Sequence, residues 1–383
     1  MIRRPAAPAR PVRRLRPLAL AALLLGASVP DPGDPPRGDL RVVVVSDLNG
    51  AYGSTAYDPE VHRAVRLIRE VWRPDLVLAA GDLVAGQKPA LSDAEVRAMW
   101  AAFDSTVARP LREARIPFGF TLGNHDGSAY PAHRRDRLLA EEHWRAPGRR
   151  PGVAFADGAH CPAYYSFTRG GLFVLVWDAS FAGTAGERAM LEWARGQLAS
   201  APARAARHRL VLGHLPLYAV AEGRNRPGEV LDEADSLRAL LERCGVDTYV
   251  SGHHHAYYPG RRGRLELLHA GAVGQGPRPL LAGGAPPAKT ATVLDFHFAA
   301  DSVAYTTYAF DPGAPDGLRR LETAALPPAL HGFNGRVVRR DLPDGRDLDG
   351  ARIFPPSRTA APVPGARRGE RGGEPPPGER CER

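Results

Sequence analysis

A chain of 383 residues, 44% hydrophobic and 24% charged, has the composition of a folded protein and can bury a sizeable core. Its three cysteines, Cys161, Cys244 and Cys381, are too few and too scattered for a disulfide framework. The net charge of +9 sits mostly at the ends, with six arginines and no acid in residues 1–28 and six arginines against four glutamates in 357–383; the near-neutral body left between them excludes a gross footprint for DNA or RNA.

An Arg-rich stretch to Arg16, an apolar run over Leu18–Val29 and the small residues Gly26-Ala27-Ser28 predict a secretory signal over residues 1–28. The apolar run, about 12 residues, is short for a bilayer. The mature protein is therefore expected to be exported, to the periplasm, cell envelope or extracellular space, with no stable membrane span. Residues 29–39 read as a linker rich in Pro, Asp and Gly, and the body begins near Leu40.

Within the body, strands are predicted at Val42–Val45, Leu76–Ala80, Phe118–Leu122, Leu172–Trp177, Leu210–Leu212 and Thr248–Val250. Helical spacing of three and four joins Val61, Val65, Ile68 and Trp72, and likewise Val96, Trp100, Phe103 and Val107. Leu191, Trp193 and Leu198, then Leu237, Leu240, Leu241 and Cys244, mark two further helices. Continuous apolar runs separated by helices imply strands buried on both faces, hence an α/β architecture. Ala291–Phe298 and Val303–Phe310 look like strands with no helix between them. Residues 313–354 show no clear periodicity and form an extension of undefined structure, and 355–383 make a Pro-, Gly- and Arg-rich tail expected to be disordered.

Five of the predicted strands run straight into polar residues of metal-binding type. They are followed by Asp47-Leu48-Asn49, Gly81-Asp82, Gly123-Asn124-His125-Asp126, Gly213-His214 and Gly252-His253-His254-His255. The carboxyl ends of strands form the ligand-binding edge of an open α/β sheet, so these loops should converge. Carboxylate, amide and imidazole together suit Mn, Zn or Fe. A carboxylate can bridge two such cations, which together lower the pKa of a bound water. His254 should point away from its neighbours in an extended segment.

The ordered set Asp-x-Asn, Gly-Asp, Gly-Asn-His-Asp, lone His and Gly-His-x-His over roughly residues 41–260 resembles the calcineurin-like metallophosphoesterase superfamily. The resemblance implies a two-sheet β-sandwich flanked by helices, in a single catalytic domain over 40–312. It implies an exported phosphoesterase with two divalent metal ions and a small phosphate ester as substrate, monoester or diester. Asp47 and His255 would bind the first metal, Asp82 would bridge, and Asn124, His214 and His253 would bind the second. His125 would act as general acid, and the nucleophile would be a hydroxide bridging the metals. Asn49 stands where the family usually has His, so the first site is expected to bind less tightly or to take water there. Ala85 stands where the protein-phosphatase branch has Asp and the purple acid phosphatase branch Tyr, so nothing in the sequence says what orients His125.

The departure at Asn49 motivates a rival reading, a non-catalytic binding protein that keeps the fold with a weakened first site. Substrate specificity is assigned to the loops around Ser54–Tyr57, Ser128–Tyr165 and Ala179–Glu187. Cys161 and Cys244 are left as one pair that could be bridged, and nothing in the sequence sets an oligomeric state.

Overall fold

Four consecutive valines in β1 (Leu40–Val45) are all buried. Val42 and Val44 join one core, Val43 and Val45 another. Side chains alternate across a strand, so an unbroken apolar run requires a packed layer on each face. In this computed structural model, which describes residues 37–342 except 185–186, 275 and 315–316, both layers are present. The predicted signal segment, residues 29–36 of the linker and the predicted tail lie outside the described residues.

β2 (Leu76–Ala79) and β3 (Phe118–Phe120) run parallel to β1, with Val43 opposite Val77 and Val77 opposite Phe118. The crossovers are helical. α1 (Pro59–Leu67) continues through a wider π-type turn to Trp72 and buries Val61, Val65, Ile68 and Trp72 against this sheet. α2 (Asp93–Phe103) starts on a capping box: the Ser92 hydroxyl accepts from the Glu95 N–H, and the Glu95 carboxylate accepts from the Ser92 N–H. It runs on to Ala108 and α3 (Arg109–Glu113), as the spacing predicts.

After β3 come α4 (Asn124–Gly127) and α5 (Arg134–Arg145). The segment 128–165, expected to be a loop, thus contains a helix of three turns. Its apolar residues Leu139, Ala140 and Trp144 have helical spacing, but seven charged residues among twelve mask the pattern. The second sheet follows with β4 (Ala154–Asp157), β5 (Tyr165–Arg169), β6 (Leu172–Val176), β7 (His208–Leu212), β8 (Thr248–Ser251), β9 (Tyr258–Arg262) and β10 (Leu265–His269). β6, β7, β8 and β10 are parallel; β5 and β9 are antiparallel to their neighbours. α6 (Arg188–Leu198), α7 (Ala201–Ala205) and α8 (Ala234–Arg243) cover it.

β11 (Thr290–His297) and β12 (Ser302–Phe310) form the predicted helix-free pair, and β11 returns to the first sheet antiparallel to β1. The stretch without periodicity after residue 312 supplies three more strands. β13 (Leu318–Arg320) pairs with β12, while β14 (Ala329–Gly332) and β15 (Gly335–Arg339) extend the second sheet beyond β9. Both sheets therefore run past residue 312; these strands are short edge strands whose pairing, not their own pattern, defines them. The result is two mixed sheets face to face with helices outside, the predicted α/β sandwich. Cys161 is a free thiol, so the bridge to Cys244 left open above is not made.

Candidate metal centre

The parallel strands of both sheets deliver their polar ends to one place. Asp47 follows β1, Asp82 follows β2, Asn124 follows β3, His214 follows β7, and His253 and His255 follow β8. Asp47 (φ 50°), Asp82 (φ 54°), His253 (φ 62°) and His255 (φ 54°) all have left-handed backbone. Non-glycine residues adopt it at a cost of about 1–2 kcal/mol each, and such strain gathers where side-chain aim matters more than backbone comfort.

The side chains meet closely. Single ligand atoms of Asp47, Asp82 and His255 lie within 4.8 Å of one another. His255 Nε2 is 3.2 Å from Asp47 Oδ1. Asp82 Oδ2 is also 3.4 Å from His214 Nε2, so Asp82 belongs to two neighbouring groups. In the second group, Asn124 Oδ1 lies 3.0 Å from both His214 Nε2 and His253 Nδ1. The Asn124 amide nitrogen donates to Gln87 Oε1 at 2.6 Å, which turns its oxygen toward the histidines.

The outer nitrogens of His214 and His255 settle their tautomers. His214 Nδ1 lies 2.7 Å from the Ala80 carbonyl, His255 Nδ1 2.9 Å from the Gly276 carbonyl, and His253 Nε2 2.9 Å from the Glu229 carboxylate. The two carbonyls only accept, so the outer nitrogens of His214 and His255 donate, whereas His253 Nε2 also lies 3.1 Å from the Arg224 guanidinium, a donor. In neutral imidazoles the inner nitrogens of His214 and His255 are then bare lone pairs, and both face carboxylate oxygens, while His253 Nδ1 faces the Asn124 amide oxygen. Lone pairs aimed at lone pairs need a positive charge between them, and a cation satisfies all of them at once. The donor set fits divalent-metal binding on this ground.

Burial disfavours charge on His214, but Asp82 and then Asp47 outweigh it and raise it to about 9. Burial likewise opposes ionisation of Asp82 and Asp47, yet His214 and His125 hold Asp82 down, and His255 holds Asp47 down. His253, against burial only partly offset by Glu229, falls to about 4.

His125 stands at the rim with 16% of its side chain exposed. Its N–H donates to Asp82 Oδ1 at 2.9 Å, and its Nδ1 reaches the Gly86 carbonyl at 3.3 Å. Nε2 lies 3.9 Å from Asp82 Oδ2. A backbone carbonyl next to Ala85 thus orients the ring. Asn49 is 8% exposed and donates its backbone N–H to the Asp82 carbonyl at 3.1 Å. Its side-chain amide makes no hydrogen bond among the described residues. His254 faces away, accepting from the Val220 N–H and donating to the Glu229 carbonyl.

Several supporting residues have no sequence signal. Glu229, paired with Arg224 and Arg226, sits in an irregular loop and grips His253. The Ser46 hydroxyl donates to Asp47 Oδ2 at 2.7 Å. Asp126 accepts from the N–H groups of Leu83, Val84 and Gly123, tying the loop after β2 to α4. Burial and the Asp82 charge push Asp126 up to about 7 against those bonds. Asp126 does stand in the Gly-Asn-His-Asp motif, so its presence was legible and its task was not.

A family model for calcineurin-like phosphoesterases matches residues 40–257. The chain is similar to the serine/threonine-protein phosphatase CPPED1 of Danio rerio, 25% identical over 258 residues, 63% of this chain and 74% of that protein. It is also similar to the probable purple acid phosphatase 20 of Arabidopsis thaliana, 24% identical over 187 residues, 49% of this chain and 40% of that protein. Among solved structures, the purple acid phosphatase PPD1 from yellow lupin (Lupinus luteus) aligns with a TM-score of 0.48 at 16% identity, covering 70% of this chain and 51% of that one.

Proposed function

Because the chain belongs to the calcineurin-like phosphoesterases, we propose that it hydrolyses a phosphomonoester or phosphodiester at the strand-end cluster, with two divalent cations held there. On this reading Asp47 and His255 hold one cation, Asn124, His214 and His253 hold the other, and Asp82 is shared. The observation that supports it is the inward convergence of the His214 and His255 lone pairs on carboxylate oxygens, their outer nitrogens held by backbone carbonyls, with His253 and the Asn124 amide oxygen beside them. When bound, the cations supply charge that acidifies water and draws electron density from the phosphoryl oxygens; Mn, Zn and Fe suit the mixed donor set.

The chain's own groups do the rest. The Gly86 carbonyl keeps a proton on His125 Nδ1 and leaves Nε2 to carry the second proton to the departing oxygen. The Asp82 carboxylate, which accepts from the His125 backbone N–H, stands 3.9 Å from that Nε2. With a cation bound, the Asn49 amide would be a neutral candidate ligand for the first site, weaker than an imidazole. The Arg-rich and apolar N-terminal sequence supports export, and no helix among the described residues is long and apolar enough to cross a membrane.

Purified protein loaded with Mn, Zn, Fe, Co, Ni or Mg should cleave aryl or bis-aryl phosphates. Inertness across that panel sinks the proposal. His125→Ala should lower turnover by about 10²–10⁴-fold with metal content retained; unchanged turnover removes His125 from the mechanism. The free Asn49 amide favours a second reading, a binding protein with a weakened first site. One metal per chain with negligible turnover supports that reading, and two with turnover excludes it.

A further inference from the structure

The aromatic ring of Tyr52 stands 56% exposed, and its centroid lies 5.0 Å from that of His125 at an interplanar angle of 42°. Its hydroxyl makes no hydrogen bond among the described residues. Two adjacent carbonyls hold the pair together: the Gly53 N–H donates to the Ala85 carbonyl at 2.8 Å, and His125 Nδ1 meets the Gly86 carbonyl at 3.3 Å. His125 is already fixed by Gly86 and by Asp82, so it needs no further prop. A bare ring held in that place presents a flat apolar surface beside the group that faces the leaving oxygen.

More aromatic surface gathers at the same edge. Tyr130 and Phe181, 48% and 38% exposed, have centroids 5.1 Å apart and stand on the segments that follow β3 and β6. The Ala129 N–H donates to the Ser180 hydroxyl, whose oxygen donates in turn to Asp178, itself paired with Arg137. These three rings are half of the six large apolar side chains exposed among the described residues. Scattered single exposures are ordinary; paired exposed rings on loops that follow the strands are candidates for a binding surface.

Resting on the hydrolytic reading above, we propose that Tyr52 forms the leaving-group wall and that the substrates are phosphate esters of a flat aromatic group, an aryl or a nucleobase-bearing alcohol. Edge-to-face and offset ring contacts add about 0.5–1.5 kcal/mol beyond area burial. The wall should therefore act on selectivity and on KM.

The test compares phenyl phosphate with glycerol phosphate on the metal-loaded full chain, for the wild type, Tyr52→Ala and Tyr52→Phe. In Tyr52→Ala the phenyl-to-glycerol ratio of kcat/KM should fall about three- to tenfold, mainly through KM for phenyl phosphate. Tyr52→Phe should keep the ratio. A parallel fall for both substrates means that Tyr52 only props His125 and overturns the proposal, as does an equal fall in Tyr52→Phe. Calorimetric binding of phenylphosphonate against methylphosphonate reads the same wall without turnover. An inert protein that still prefers the phenyl ligand through Tyr52 sinks the hydrolytic reading alone. Turnover with no phenyl preference in either measurement sinks the wall alone.

Discussion

A methyl group at position 123 tests the site most directly. Gly123 has extended backbone (φ −92°, ψ −178°), which any residue adopts, so Gly123→Ala brings no conformational penalty. Its Cβ would instead lie 2.1 Å from Asp82 Oδ1 and 2.4 Å from the Asp82 backbone nitrogen. Real Cβ contacts stay above 3.0 Å, so the loop after β2 must retreat by about 1 Å. Forcing atoms into a packed interior costs about 1–3 kcal/mol. A displacement of that size at reacting groups costs about 100-fold in rate. Because Asp82 touches both groups of donors, metal content and turnover should fall together. Metal analysis by atomic emission, urea denaturation and kcat on an aryl phosphate read the three effects. Gly196→Ala is the control: that glycine is exposed on α6 with nothing within 4 Å of the new methyl. It should stabilise the chain by about 0.5–1 kcal/mol. Wild-type metal content and turnover in Gly123→Ala would refute the close packing of the loops after β2 and β3, and with it the geometry argued above.

Glu229→Ala frees His253 Nε2 and should weaken metal affinity by about 10–100-fold with the fold intact; an unchanged affinity in competition with a chelator would show that Glu229 does not orient His253. His269 is buried with no hydrogen-bond partner on either ring nitrogen among the described residues, and burial lowers it to about 3. The unfolded chain, with histidine near 6.5, takes up this proton first as pH falls, so the stability from keeping the ring neutral is complete above about 6.5 and drains away towards pH 3. Between pH 7 and 5 that is about 2 kcal/mol, and His269→Leu should remove it from the urea-measured stability difference between those pH values; an unaltered difference would count against the burial argument. His125→Ala, described above, should separate turnover from metal content.

The ligand types, their order and their strand context could be read directly from the chain. A strand buried on both faces must be a continuous apolar run, and a polar residue just past its end has few places to go but the sheet edge. Asp47, Asp82, Asn124, His214, His253 and His255 were therefore legible as one cluster, and so was an α/β architecture; the two-sheet sandwich came from the family resemblance. Tertiary structure alone decided who holds these residues. Glu229 reaches His253 across 24 residues, Gln87 reaches Asn124 across 37, and the Ala80 carbonyl reaches His214 across 134. Each contact joins irregular segments, where no periodicity marks a partner. The same holds for β13, β14 and β15, which become strands only because an edge awaits them, and for Tyr52, whose place against His125 depends on two carbonyls of another loop. Local pattern encodes burial, and burial encodes the sheets. Which nitrogen of a histidine keeps its proton is set by whatever chain happens to lie behind it, and that is known only once the whole molecule has closed.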